Sequence, residues 1–125
     1  ISTQYRHSIA LIRAADPAVR LGWTVPKLRR DPFRSRRTAL PALAGLVALR
    51  LLLPGRAAAA VRAGRCDALM AHWRLVTRRL VRRVLKAGGE LYVWTVDDGD
   101  RIRTLEALGV SGVITNDPRL FAQPV

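Results

Sequence analysis

His72, Trp73, Trp94, Asp97 and Asn116 are the residues of this chain whose types and positions best suit a binding or reacting edge. His72 and Trp73 close one apolar run, Trp94 and Asp97 close a second, and Thr115 and Asn116 close a third. His72 is the one candidate general base among such run ends, and the alternative for it is a hydrogen-bonded wall beside tryptophan. Trp94 can wall a pocket for an alcohol moiety or fill core. Asp97, Asp98, Asp100 and Asp117, four of nine acidic residues, fall after the last two runs. Caps and complements to helix dipoles explain them first. The alternating ligands and terminal Glu of a calcium loop are absent, and no glycine-rich run of amides forms a phosphate cradle.

The elements that must carry these residues alternate between strand and helix. Leu91 to Val96 is continuous aromatic and β-branched sequence, suited to a strand covered on both faces. The loop Asp97-Asp98-Gly99-Asp100 follows, with Asp100 read as the helix cap, and Ile102, Leu105 and Leu108 recur at helical spacing before Gly109. Val110 to Thr115 is another short strand, so the stretch has the size of a βαβ unit. Upstream, Ile1 to Gln4 reads as a strand end, where Ser2 and Thr3 stand, and Ser8 to Ala15 as a helix. Arg20 to Val25, with Thr24, reads as a strand, as does Cys66 to Trp73. Thr77 is the expected N-cap of a helix from Arg78 to Lys86, with Leu80, Val81, Val84 and Leu85 turned inward. Strands and helices in this order make a parallel α/β sheet, and parallel crossovers put the carboxyl ends of all strands on one rim.

The chain has 125 residues and a net charge of +13. Its basic residues are all Arg except Lys27 and Lys86, and they scatter through Ala- and Leu-rich helices. No interleaved aromatics, zinc spacing or helix-turn-helix pattern accompanies them, so nucleic acid is not the expected partner. A single cysteine, Cys66, excludes an internal disulfide framework.

The phrases Tyr92-Val93-Trp94-Thr95-Val96-Asp97 and Leu108-Gly109-Val110-Ser111-Gly112-Val113-Ile114-Thr115-Asn116-Asp117-Pro118 resemble the end of a glycerophosphodiester phosphodiesterase. That family closes with a Trp-Thr-Val-Asn-like strand, a short helix and a Gly-Val-Asp-Gly-Ile-Ile-Thr-Asp-x-Pro-like strand. Here Asp97 stands for the usual Asn, Ser111 for Asp and Asn116 for Asp. Ile12 to Pro17 with Arg20-Leu21-Gly22 resembles the family's fourth helix and fifth strand. The resemblance implies the carboxy-terminal half, about strand five to strand eight, of a TIM (β/α)8 barrel, since 125 residues are too few for a whole one.

It further implies hydrolysis of a glycerophosphodiester to an alcohol and glycerol phosphate. The family's His-Arg-Gly, Glu-x-Asp, second His and Glu-x-Lys motifs, which hold a divalent cation (magnesium or calcium) and do the acid–base work, do not occur in this sequence. Metal ligands and catalytic residues are therefore expected in an amino-terminal half-barrel that partners this one. His72, Trp73, Trp94, Asp97 and Asn116 are expected to line the substrate pocket.

Residues 27–65 exceed what a barrel needs between two strands and read as a helical insertion. Ala39 to Leu53 is strongly apolar but holds Pro41, Gly45 and Arg50, which makes it too short and interrupted for a membrane-spanning helix; a second helix is expected over Arg56 to Ala63. The segment either packs on the barrel wall or lies in a membrane interface beside the site, which suits lipid-derived diesters. The location expected is cytoplasm or membrane surface. The rival to the hydrolase is a non-enzymatic basic half-barrel that oligomerises through its open strand edges and docks on an anionic membrane or polyanion.

Overall fold

The computed structural model describes residues 1–25 and 36–121, with backbone alone for 36–39. Five parallel strands stand side by side in chain order: β1 (Ser2–Thr3), β2 (Gly22–Val25), β3 (Ala68–His72), β4 (Glu90–Trp94) and β5 (Gly112–Val113). Helices α1 (Arg6–Ala15), α2 (Arg36–Arg62), α3 (Arg78–Lys86) and α4 (Gly99–Leu108) connect them in turn. Such order without a strand reversal is that of a barrel wall, in which every crossover returns to the next neighbour.

Burial on β3 and β4 runs with period two. Leu69, Ala71, Leu91 and Val93 are fully covered. Leu69, Ala71 and Leu91 pack with Leu53 and Ala57 of α2 and Leu80, Val81 and Val84 of α3. Val93 joins Val96, Ile102 and Leu105 in a second cluster beneath α4. Alternation then turns Met70, His72, Glu90, Tyr92 and Trp94 to the other face, the one a closed barrel turns inward. Large and small residues interlock there: a Cβ on Gly112 would stand 2.8 Å from the Tyr92 ring, so only glycine admits the tyrosine in that register.

The local punctuation follows from residue chemistry. Thr77 Oγ1 accepts the Leu80 N–H at 3.1 Å and caps α3. Gly109 ends α4 with φ 93°, a left-handed conformation that costs a side-chain-bearing residue about 1–2 kcal/mol. The cap of α4 is Asp98 rather than Asp100, because the helix already begins at Gly99 and the Asp98 carboxylate accepts the Asp100 N–H.

Two further expectations are corrected. Leu85 is 42% exposed, because it is turned about 100° from Val84 and leaves the inward stripe of Leu80, Val81 and Val84. The insertion is not two helices: α2 runs unbroken through Pro41 and Pro54. An interior proline costs a helix about 3 kcal/mol. Here Leu46, Leu53 and Ala57 lie on one core cluster, and that shared packing holds the helix together across Pro54. By length and composition Leu40–Arg62 is sufficient to cross a membrane, contrary to the sequence expectation.

Leu91→Ala is expected to cost about 2–5 kcal/mol by cavity formation, whereas Leu85→Ala stays within about 0.5 kcal/mol. Thermal melting of both variants against the parent checks the inward stripe; equal shifts would contradict it.

Candidate functional site

The carboxyl ends of β3, β4 and β5 bring four of the five expected residues to one rim. The parallel register sets His72 beside Trp94, and their rings meet edge to face at 5.0 Å. Trp94 donates its indole N–H to the Met70 carbonyl at 3.1 Å. Its hydrogen-bonding capacity is thus met within the sheet, and what it offers a ligand is ring surface. His72 Nδ1 accepts the Arg74 N–H at 3.2 Å, capping the 3-10 turn Trp73–Leu75. This bond and the Trp94 ring contact orient the imidazole at the rim.

Trp73 goes elsewhere. It is half-buried against the Val93, Val96, Ile102 and Leu105 cluster, on the helix side of the sheet. The Arg101 guanidinium lies 3.8 Å from its ring centroid, and Arg74 lies 5.1 Å from it on the same terms. Trp73 also touches His72, ring to ring, at 5.5 Å, and so backs the rim rather than lining it. Arg101 escaped the sequence reading because its partner lies 28 positions away on another element and no local spacing marks the pair.

Asp97 and Asn116 are direct partners across the β4–β5 rim. Asp97 Oδ1 accepts the Asn116 backbone N–H and the Thr115 hydroxyl, both at 2.8 Å, and Oδ2 lies 3.4 Å from the Asn116 amide nitrogen. The two departures from the family's usual phrase, Asp for Asn and Asn for Asp, therefore fall on a single contact. Exchanging them keeps one carboxylate and one amide across it. Ser111, the third departure, accepts the Leu91 N–H through Oγ at 3.0 Å, a task an aspartate carboxylate can also perform.

The opposite rim, at the amino ends of the strands, is tied down by ion pairs. The Asp67 carboxylate accepts from Leu21 N–H and Arg13, each at 2.8 Å, and Glu90 accepts from Arg20 and from the Tyr92 hydroxyl, each at 2.6 Å. Partial burial pushes the Asp67 carboxyl up, but the Leu21 and Arg13 donors outweigh it and hold it below the ordinary value. Barrel proteins keep such structure at this face and chemistry at the other. Among the described residues no three His, Cys, Asp or Glu side chains converge on a metal position.

The Asn116 N–H and then the Thr115 hydroxyl hold the Asp97 carboxyl below its ordinary value. A depressed carboxyl stabilises the fold above its unfolded value of about 3.9 and loses that contribution as pH falls through the folded value. Asp97→Ala is expected to lower the melting temperature at neutral pH, with the gap to the parent closing below about pH 4. A gap that stays constant to low pH would contradict the hydrogen-bonded assignment.

Residues 33–120 match the model of the glycerophosphoryl diester phosphodiesterase family. The glycerophosphodiester phosphodiesterase GDPD4 of Arabidopsis thaliana is 45% identical over 47 residues, 38% of this chain and 14% of that protein. Among solved structures, a candidate glycerophosphoryl diester phosphodiesterase of Silicibacter pomeroyi superposes with TM-score 0.67 at 19% identity, over 95% of this chain and 34% of its own. An Oleispira antarctica phosphodiesterase in complex with the product sn-glycerol-3-phosphate gives 0.63 at 16%, over 97% and 39%. The glycerophosphodiester phosphodiesterase of Thermotoga maritima gives 0.51 at 15%, over 98% and 55%. At such identities the superpositions speak for the fold, and this chain spans only part of each of these proteins. The family match covers well over half of the chain and includes β3, β4, β5 and their connecting helices, so this chain belongs to the glycerophosphoryl diester phosphodiesterase family.

Proposed function

We propose that this chain, completed by an amino-terminal half-barrel, hydrolyses a glycerophosphodiester to an alcohol and glycerol phosphate. The observation that carries this reading is the family match running through the rim of β3, β4 and β5, where Trp94, His72, Asp97 and Asn116 come together. In this assignment the Trp94 ring walls the glycerol or alcohol portion, and the His72 ring lines the pocket beside it. Asp97 and Asn116 fix the mouth of the pocket by joining β4 to β5, and Trp73 keeps His72 in orientation from behind. The chain contributes pocket walls and half of the barrel, and is inert alone.

A divalent cation, magnesium or calcium, is the proposed cofactor, with ligands from the partnering half. The described residues of this chain do not compose a set that fits one. Asp97 at the rim already receives three donors from Thr115 and Asn116, Asp98 caps α4, and Asp117 is paired with Arg119. No step of the reaction is therefore assigned to a metal held here.

A second reading has its own observation. Arg62, Arg78, Arg79, Arg82, Arg83 and Lys86 line one surface depression between α2 and α3, which suits a polyanion and a non-enzymatic docking role. Hydrolysis separates the two. The complete reading frame, or this half joined to a related first half, is expected to cleave glycerophosphodiesters and to lose that activity with chelator. Trp94→Ala is expected to lower kcat/KM by about tenfold or more while Trp94→Phe retains most of it. No hydrolysis, or hydrolysis indifferent to both chelator and Trp94, would leave the docking reading in its place.

A further inference from the structure

Helix α2 is apolar on two faces that lie roughly 110° apart around its axis. Its inward side, with Leu46 and then Leu53, packs on the core. Its outward side presents Leu40, Leu43, Val47 and Leu51, each between 48% and 78% exposed, at the i, i+3, i+7, i+11 spacing of one stripe. Leu52, turned about 100° from Leu51 and off the stripe, is 52% exposed as well. Completion of a barrel does not cover this stripe. The missing strands must join at the open edges of β1 and β5, whereas α2 stands between α1 and α3 in the middle of the present wall.

Charge selects the occupant. Helix α2 carries Arg36, Arg37, Arg50, Arg56 and Arg62 and no acidic residue, within a chain of net charge +13. Leucines flanked by arginines on one helix match acyl chains beneath anionic headgroups. Length selects the mode. Leu53, Ala57, Ala58 and Ala60 are buried against the rest of the protein and unavailable to lipid. The free run from Leu40 to Leu52 rises about 20 Å, short of the roughly 30 Å hydrocarbon core. Position gives the consequence. Helix α2 follows β2, so it enters from the rim that holds Trp94 and His72, and Arg50 Nε donates at 2.7 Å to the carbonyl of Arg74, next to Trp73.

We infer that the amino-terminal half of α2 docks in the interface of an anionic lipid bilayer, without spanning it, and holds the candidate site against the lipid surface. The inference rests on the hydrolase reading for what the docked site acts upon, not for the docking itself. The test uses the protein of the complete reading frame with vesicles of phosphatidylcholine alone or mixed with phosphatidylglycerol. The parent is expected to co-sediment with the mixed vesicles, less so at high salt, and to be released by alkaline carbonate. The triple variant Leu43→Ser, Val47→Ser, Leu51→Ser replaces exposed side chains only and is expected to bind about tenfold more weakly or less, with an unchanged melting temperature.

Equal binding by parent and variant, or no binding by the parent, would overturn the inference. So would resistance to carbonate, which would make α2 a spanning helix, and so would light scattering that shows the variant converting an oligomer to a monomer. Hydrolysis of a soluble glycerophosphodiester by the same preparations keeps the two readings apart. Vesicle binding without hydrolysis supports the docking and counts against the enzyme.

Discussion

The register between β3 and β4 is the constraint on which the rest depends. Five consecutive pairs, from Ala68 with Glu90 to His72 with Trp94, lock the two strands in parallel. A slip of one residue would send Leu69, Ala71, Leu91 and Val93 into the barrel interior and Met70, Tyr92 and Trp94 against the helices. Burial of the four aliphatic residues forbids this, since each is wholly covered by α2, α3 or α4. The apolar core is thus what faces Trp94 and His72 toward the side where a ligand can sit. Packing sets the site, and the bonds of Asp97 with Thr115 and Asn116 secure its β4–β5 edge.

Two different bonding patterns then divide the strand ends. At the amino ends, ion pairs join distant parts of the chain: Arg13 with Asp67, and Arg20 with Glu90. At the carboxyl ends the contacts are ring on ring and amide on carboxylate, with Arg101 over Trp73 behind them. Asp117, just beyond β5, adds a carboxylate paired with Arg119. The proposed pocket wall draws on the rings, and the bracket between Asp97 and Asn116 joins β4 to β5 beside them.

Much of this was legible in the sequence where the determinants are local. The β4–α4–β5 unit is marked by its apolar run, by Ile102 and Leu105 at helical spacing and by Gly109 at the stop, and all of these fall as expected. Thr77 caps α3 for the same reason. What could not be read is non-local. Pro41 and Pro54 argue for a broken segment unless one knows that Leu46, Leu53 and Ala57 share a core. The bond from Arg74 N–H to His72 Nδ1 caps a 3-10 turn that no spacing in the sequence announces. The pairing of Asp97 with Asn116 joins strands 19 positions apart, and only the fold makes two substitutions into one exchange. The portion of the insertion at 27–35 lies outside the described residues.

The rim around Trp94 is proposed as the wall of a glycerophosphodiester site. A crystal structure of the complete protein with sn-glycerol 3-phosphate tests it most directly. The glycerol carbons are expected against the Trp94 ring, with His72 beside them and Asp97 still bonded to Asn116. Product bound in full occupancy away from β3 and β4, with Trp94 closed over by protein side chains, would contradict it.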